Sequence, residues 1–231
     1  MTHILAKICK TSLIGAFFVC QIATADTPQQ VNSNAAESWQ MPADVLPITN
    51  IGRWQKPVSN VGSSVEIIEF FSYTCSHCAT LQPELSAWEN RWLTQRPGAF
   101  VVTPVAVSWS PNMIVPQHVY FTLRALKRMD LHAEVFNDWA RAPEHFDNDA
   151  AAASWAQDKG IAPSIWQSAY NSAAVKQDIR MAQQKFRQSE LNGVPSLVVN
   201  GRYYIIPNPN MFTTLDAIVQ HETTAKKHAQ K

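Results

Sequence analysis

Hydrophobic and polar positions change period several times along the chain, and each change marks an element. Thr11 to Ala23 is an apolar run behind Lys7 and Lys10. Asp26 to about Pro47 is polar and aperiodic, which predicts a mobile leader. Val65-Glu66-Ile67-Ile68-Glu69-Phe70-Phe71 is a short, mostly apolar run between Gly62-Ser63-Ser64 and Ser72, the mark of a buried strand. A helix is predicted from near Ser76 to Thr94, kinked at Pro83. Ala99 to Val107 reads as a second strand after the turn signal Pro97-Gly98. Strand, helix and strand in close succession form a βαβ unit, so the two strands should run parallel.

From Asn112 to Asn171 the period is helical. Val119, Leu123 and Leu126 make one apolar stripe, and Leu131, Val135 and Trp139 another. The next helix carries Val175, Ile179, Ala182 and Phe186 on one face and is predicted to end near Gly193. Ser196–Asn200 and Arg202–Ile206 alternate as a hairpin turned at Asn200-Gly201, a strong short-range signal. A last helix sets Phe212, Leu215, Ile218 and Val219 inward. The expected fold class is therefore α/β, a sheet interrupted by a helical insertion at about residues 110–172. No internal repeat or low-complexity tract breaks this order.

The beginning of the chain changes how its cysteines are counted. A positive start, an apolar stretch and the small-residue site Ala23-Thr24-Ala25 match a cleavable secretory signal over residues 1–25. The apolar run is short for a bilayer span, which needs about 20 residues. Export leaves 206 of the 231 residues, enough for one domain carrying an insertion. The domains expected are the signal, a polar leader over 26–47 and a sheet domain over 48–231. The signal takes two of the 19 basic residues and none of the 18 acidic ones, so the exported chain carries a net charge of −1. That balance gives no reason to expect nucleic acid or an anionic membrane surface as partner.

Cys9 and Cys20 leave with the signal, and Cys75 and Cys78 remain. One pair so closely spaced makes no disulfide framework, and bridging it closes almost no loop. Its position suits chemistry better. It stands where a buried strand gives way to a helix, whose first amides are unpaired and carry partial positive charge. A thiolate at Cys75 is stabilised there, and the thiolate is the nucleophile of disulfide exchange. The competing reading is half of a metal site. A structural zinc site needs four ligands, and no second C-x-x-C is present. A copper site completed by His77 or a distant histidine is the remaining metal alternative. No cofactor is expected otherwise.

Three neighbours are candidates for roles. His77, inside the pair, would lower the Cys75 pKa as an imidazolium or hydrogen-bond the thiolate when neutral; the alternative is an exposed residue without an energetic role. Glu69, between Ile68 and Phe70, would be a buried acid with a raised pKa, able to relay a proton to or from Cys78; the alternative is a satisfied buried carboxyl. Glu66, nearer the strand start, should be more solvated. Val194-Pro195 opens the hairpin strand. A cis bond there would turn the Val194 backbone towards the cysteines, where an extended substrate could pair with it; a trans proline at a strand start is the alternative.

Together, the strand ending in EFFSYTCSHC, the helical insertion and GVPSLVVNGRY resemble the DsbA family of bacterial periplasmic dithiol oxidases, over roughly residues 50–225. The resemblance implies a thioredoxin fold with an inserted helical domain and a cis-Pro195 facing the active site. It implies Cys75 as nucleophile, Cys78 as resolving thiol, with the two forming the redox-active disulfide, and Glu69 as buried acid. The implied location is the periplasm. The implied partners are reduced or unfolded exported proteins and a DsbB-type membrane reoxidant, with the protein itself expected as a monomer. Two positions depart from familiar members: Ser76 stands where the best-known ones have proline, and Pro104 where some have lysine. A reductase or isomerase is the second enzymatic reading. Isomerases of that kind need a dimerisation domain, and the polar leader is too short to be one.

Overall fold

The strand expected at residues 65–71 forms over Val65–Phe71 (β2) and organises the sheet. The computed structural model describes residues 39–43, 45–47, 64–189 and 191–229. The signal, most of the leader and residues 48–63 lie outside the described residues. Phe100–Ala106 (β3) runs parallel to β2, with Val65 opposite Phe100 and Glu69 opposite Pro104. Ser76–Gln95 (α1) connects the two strands, which completes the expected βαβ unit. Helix α1 passes through Pro83 without interruption.

The hairpin also forms. Ser196–Val199 (β4) pairs antiparallel with β2 on one side and with Tyr203–Ile205 (β5) on the other. Its turn places Asn200 and Gly201 at φ of 49° and 64°, the left-handed pair that an Asn-Gly turn supplies at low cost. A fifth strand, Val45–Pro47 (β1), pairs antiparallel with β5 and completes the order β1-β5-β4-β2-β3. This revises the end of the expected leader: residues 45–47 are an edge strand, with Val45 buried. The segment has only three residues and ends in proline, so it has no readable period, and its partner lies far along the chain.

Between β3 and the hairpin lie five helices: Ile114–Ala125 (α2), His132–Arg141 (α3), Asp149–Asp158 (α4), Pro163–Tyr170 (α5) and Ala173–Gln188 (α6). The first four are the expected helical insertion. Helix α6 stops short of Gly193 because Ser189 closes it, its hydroxyl donating to the Phe186 carbonyl at 2.7 Å. Met211–Ala229 (α7) ends the described chain. Among the described residues no helix is long and apolar enough to cross a membrane.

Two cores flank the sheet, and strand alternation sorts β2 between them. Val65 and Ile67 pack with Leu81, Leu85 and Trp88 of α1 and Leu215, Ile218 and Val219 of α7. Ile68 and Phe70 pack into the larger cluster with α2 to α5 and Phe186 of α6. Glu69 shares the Ile67 side and so faces α1. Glu66 takes the opposite side and is half-buried, with its carboxyl pKa raised by burial and partly offset by the charge of Lys185 on α6.

Candidate active site

The chain leaves β2 through Ser72-Tyr73-Thr74 and enters α1 at Cys75, which is itself the N-cap. Its backbone is extended there, at φ −97° and ψ 113°, which aims Sγ back over the helix start. The Cys78 amide donates to Cys75 Sγ at 3.3 Å, so an amide left unpaired by the helix is taken up by sulfur. On the other side, Cys75 Sγ lies 3.5 Å from the Val194 carbonyl oxygen, to which the thiol donates. The Val194-Pro195 bond is cis, and this segment runs directly into β4 beside β2. The cysteines, Val194 and Pro195 expected to meet are therefore brought together at one end of the sheet.

The two sulfurs sit in different surroundings. Cys75 is half-exposed, and its thiol is pulled down to about 6, chiefly by its hydrogen bond with Cys78, with the backbone amides of Cys78 and His77 and the His77 charge adding. Cys78 is fully buried, and its thiol is pushed up by that same partnership and by burial. One proton shared between two thiols stays on the buried one. His77 is exposed, and its backbone amide acts on Cys75 ahead of its ring charge. Of the two roles considered for His77, the thiolate contact comes from the main chain.

Glu69 is 3% exposed and lies beneath α1, where its charge would raise the pKa of Cys78 further. Its own carboxyl is pushed up to about 7, mainly by burial and secondarily by Glu89. Pro104 occupies the in-register position on β3, so that strand supplies no cation. The turn before Cys75 is braced from the insertion. Tyr73 Oη and His132 Nδ1 of α3 share a hydrogen bond of 2.7 Å inside a cage of Phe71, Tyr120 and Phe136. Burial lowers His132 to about 4 and raises Tyr73, so both are neutral at ordinary pH.

Beside the cysteines runs a groove of about 540 Å³, walled by His77 and Leu81 of α1, by Val194 and Pro195, and by Ile206, Pro207 and Phe212 beyond the hairpin. His77, Val194 and Pro195 were expected at the site, whereas the wall beyond the hairpin was not. The only trace of it was an apolar Ile206-Pro207 at the point where β5 should end. Glu89 and His132 were missed as well.

Residues 100–219, from β3 into α7, match the family of DSBA-like thioredoxin domains. The matched stretch begins beyond Cys75 and Cys78 and includes the insertion and Pro195. The thiol:disulfide interchange protein DsbA of Bordetella parapertussis is 30% identical over 149 residues, or 64% of this chain and 69% of that one. DsbA of Pseudomonas aeruginosa strain PAO1 is 28% identical over 148 residues, 64% of this chain and 68% of that one. Among solved structures, Pseudomonas aeruginosa DsbA superposes with a TM-score of 0.69 at 22% identity, covering 83% of this chain and 98% of its own. The Xylella fastidiosa oxidoreductase DsbA gives 0.67 at 21% identity, covering 80% of this chain and all of its own. On these grounds the chain belongs to the DsbA-like family of thiol:disulfide oxidoreductases, with the thioredoxin fold and helical insertion expected of it.

Proposed function

We propose that this protein is an exported dithiol oxidase that donates the Cys75–Cys78 disulfide to reduced proteins in the periplasm. The observation that carries this reading is the asymmetry of the pair: Cys75 at the helix N-cap favours the thiolate, while Cys78, buried behind it, favours the thiol. A substrate thiolate attacks Cys75 Sγ. The Cys75–Cys78 bond breaks, a mixed disulfide forms at Cys75, and Cys78 departs with the electron pair. Glu69 supplies the proton that Cys78 takes up. The substrate's second thiolate then attacks the substrate sulfur of the mixed disulfide, and Cys75 leaves as a stabilised thiolate. Two electrons pass from substrate to enzyme. Whatever stabilises that thiolate stabilises the reduced enzyme and makes the disulfide a stronger oxidant.

Val194 and Pro195 hold the extended substrate beside Cys75, and His77 supports the thiolate from the rim. The signal over residues 1–25 directs export, and a DsbB-type membrane protein restores the disulfide. The protein acts as a monomer. The deciding experiment is equilibration of the Cys75–Cys78 couple with glutathione, read by Trp fluorescence, alongside a thiolate titration in the ultraviolet. A midpoint for Cys75 near 6 and a potential well above thioredoxin's are expected. A potential as low as thioredoxin's, about −270 mV, would overturn the oxidase reading in favour of a reductase. A Cys75→Ser variant that still oxidised a dithiol peptide would remove Cys75 as nucleophile.

A further inference from the structure

The groove beside Cys75 is lined by a single carboxylate, and nothing pairs with it. The α1 wall is His77, Thr80, Leu81 and Glu84. Steps of four and three residues put His77, Leu81 and Glu84 on one face of the helix, so the stripe starts next to the N-cap cysteine and ends at Glu84. Glu84 is exposed and makes no ion pair or hydrogen bond with the described residues. Its own helix cannot neutralise it, because the positions three and four residues to either side are Thr80, Leu81, Ala87 and Trp88.

The other polar groups of the groove are committed elsewhere. The Thr80 hydroxyl donates to the Ser76 carbonyl at 3.1 Å. On the opposite wall Ile206 and Phe212 are apolar, and Pro207 and Pro209 have no amide hydrogen. Asn208 is turned in on its own loop: Nδ2 donates to the Ile206 carbonyl at 3.0 Å, and Oδ1 accepts from the Asn210 amide at 2.8 Å. Among the lining residues Glu84 is therefore the only acid, and His77, about two turns nearer the cysteines, the only base. Glu84 follows Cys75 by nine residues. Their axial separation is about 13 Å, which an extended chain covers in about four residues.

We infer that Glu84 is a specificity-determining residue: it selects reduced proteins with Lys or Arg about four residues from the cysteine being oxidised, and disfavours those with Asp or Glu there. This selection presupposes that the groove takes the substrate of the proposed dithiol oxidase, and it adds what that substrate carries. The basic side chain lays its methylenes along the apolar stripe at Leu81 and sets its charge against the Glu84 carboxylate. No bond is made or broken at Glu84, and the exchange at Cys75 is unaltered. The site is open to water, so the discrimination is modest, about 1.5–5-fold for one exposed ion pair.

The test uses reduced peptides with two cysteines, identical except for Lys, Gln or Glu placed four residues outside each cysteine. Each is mixed with the oxidised protein, and the single-turnover rate is followed by stopped-flow Trp fluorescence and expressed per attacking thiolate. Dithiothreitol, uncharged and too short to reach Glu84, supplies the reference rate for each variant. Wild type should react fastest with the Lys peptide and slowest with the Glu peptide, each step about 1.5–5-fold at low salt. Salt at 1 M, where the screening length is about 3 Å, should flatten the series. Glu84→Gln should draw the three rates together, and Glu84→Lys should invert their order. Equal wild-type rates, with every peptide oxidised, would overturn the selection and leave the dithiol oxidase in place. An order that persists unchanged in Glu84→Gln would assign it to other charges and overturn Glu84 as its source. Oxidation of none of the peptides would overturn the oxidase reading on which the selection rests.

Discussion

Glu69 is the residue whose environment departs furthest from its chemistry. A carboxyl enclosed under α1, with the charge of Glu89 acting on it and a proline in register on β3, prefers to keep its proton. Its folded pKa, about 7, lies above the ordinary carboxyl value of 4.5. The folded protein therefore binds the extra proton, and the stability linked to it is fully present below the unfolded pKa. That stability is lost as pH rises through about 7. Glu69→Gln does not titrate, so its stability relative to wild type should increase between acid and mildly alkaline pH. By linkage the difference reaches at most about 3 kcal/mol. Urea unfolding of the two proteins across that range checks it. A difference that stayed flat with pH would mean that Glu69 is solvated or paired.

At the scale of elements, α1 has to hold Cys75 and Cys78 at one end while its other end is tied to the sheet domain. The tie is polar. Trp88 and Trp92, both buried, donate their indole N–H groups to the same Asp216 oxygen of α7, at 2.8 and 2.6 Å. Asp216→Ala leaves both donors without that acceptor. Each buried unsatisfied donor costs about 1–3 kcal/mol, so the variant should lose about 2–6 kcal/mol. The loss should appear as a lower urea midpoint, with the glutathione equilibrium unmoved, because the clasp lies on the far half of α1. Such ties also mark what could be read from the chain. β2, α1, β3 and the Asn200-Gly201 hairpin announce themselves through period and turn chemistry, which are local. β1 does not, because three residues carry no period and their place is decided by β5. The Asp216 clasp joins residues distant in sequence, and only packing brings them together. Cys75, Cys78 and Pro195 were legible because the strand–helix junction and the strand-start proline have meaning on their own.

At the scale of the molecule, the sheet end that carries the cysteines opens onto a groove whose far wall comes from the chain after the hairpin. Ile206 stands there, an apolar side chain left 51% exposed. If the groove receives an extended, unfolded protein while Cys75 exchanges disulfides, Ile206 contributes to holding the chain and not to the chemistry. Ile206→Asp should then weaken the reaction with a reduced protein. Losing the burial of about half a large aliphatic side chain costs about 0.8–1.5 kcal/mol, or roughly 4–13-fold in KM. The reaction with dithiothreitol, too small to use the wall, should keep its rate, and the potential should not move. Steady-state oxidation of a reduced protein beside single-turnover reduction by the small dithiol separates the two effects. Equal losses in both would place Ile206 in support of the cysteines themselves, and the groove would then have no part in choosing the substrate.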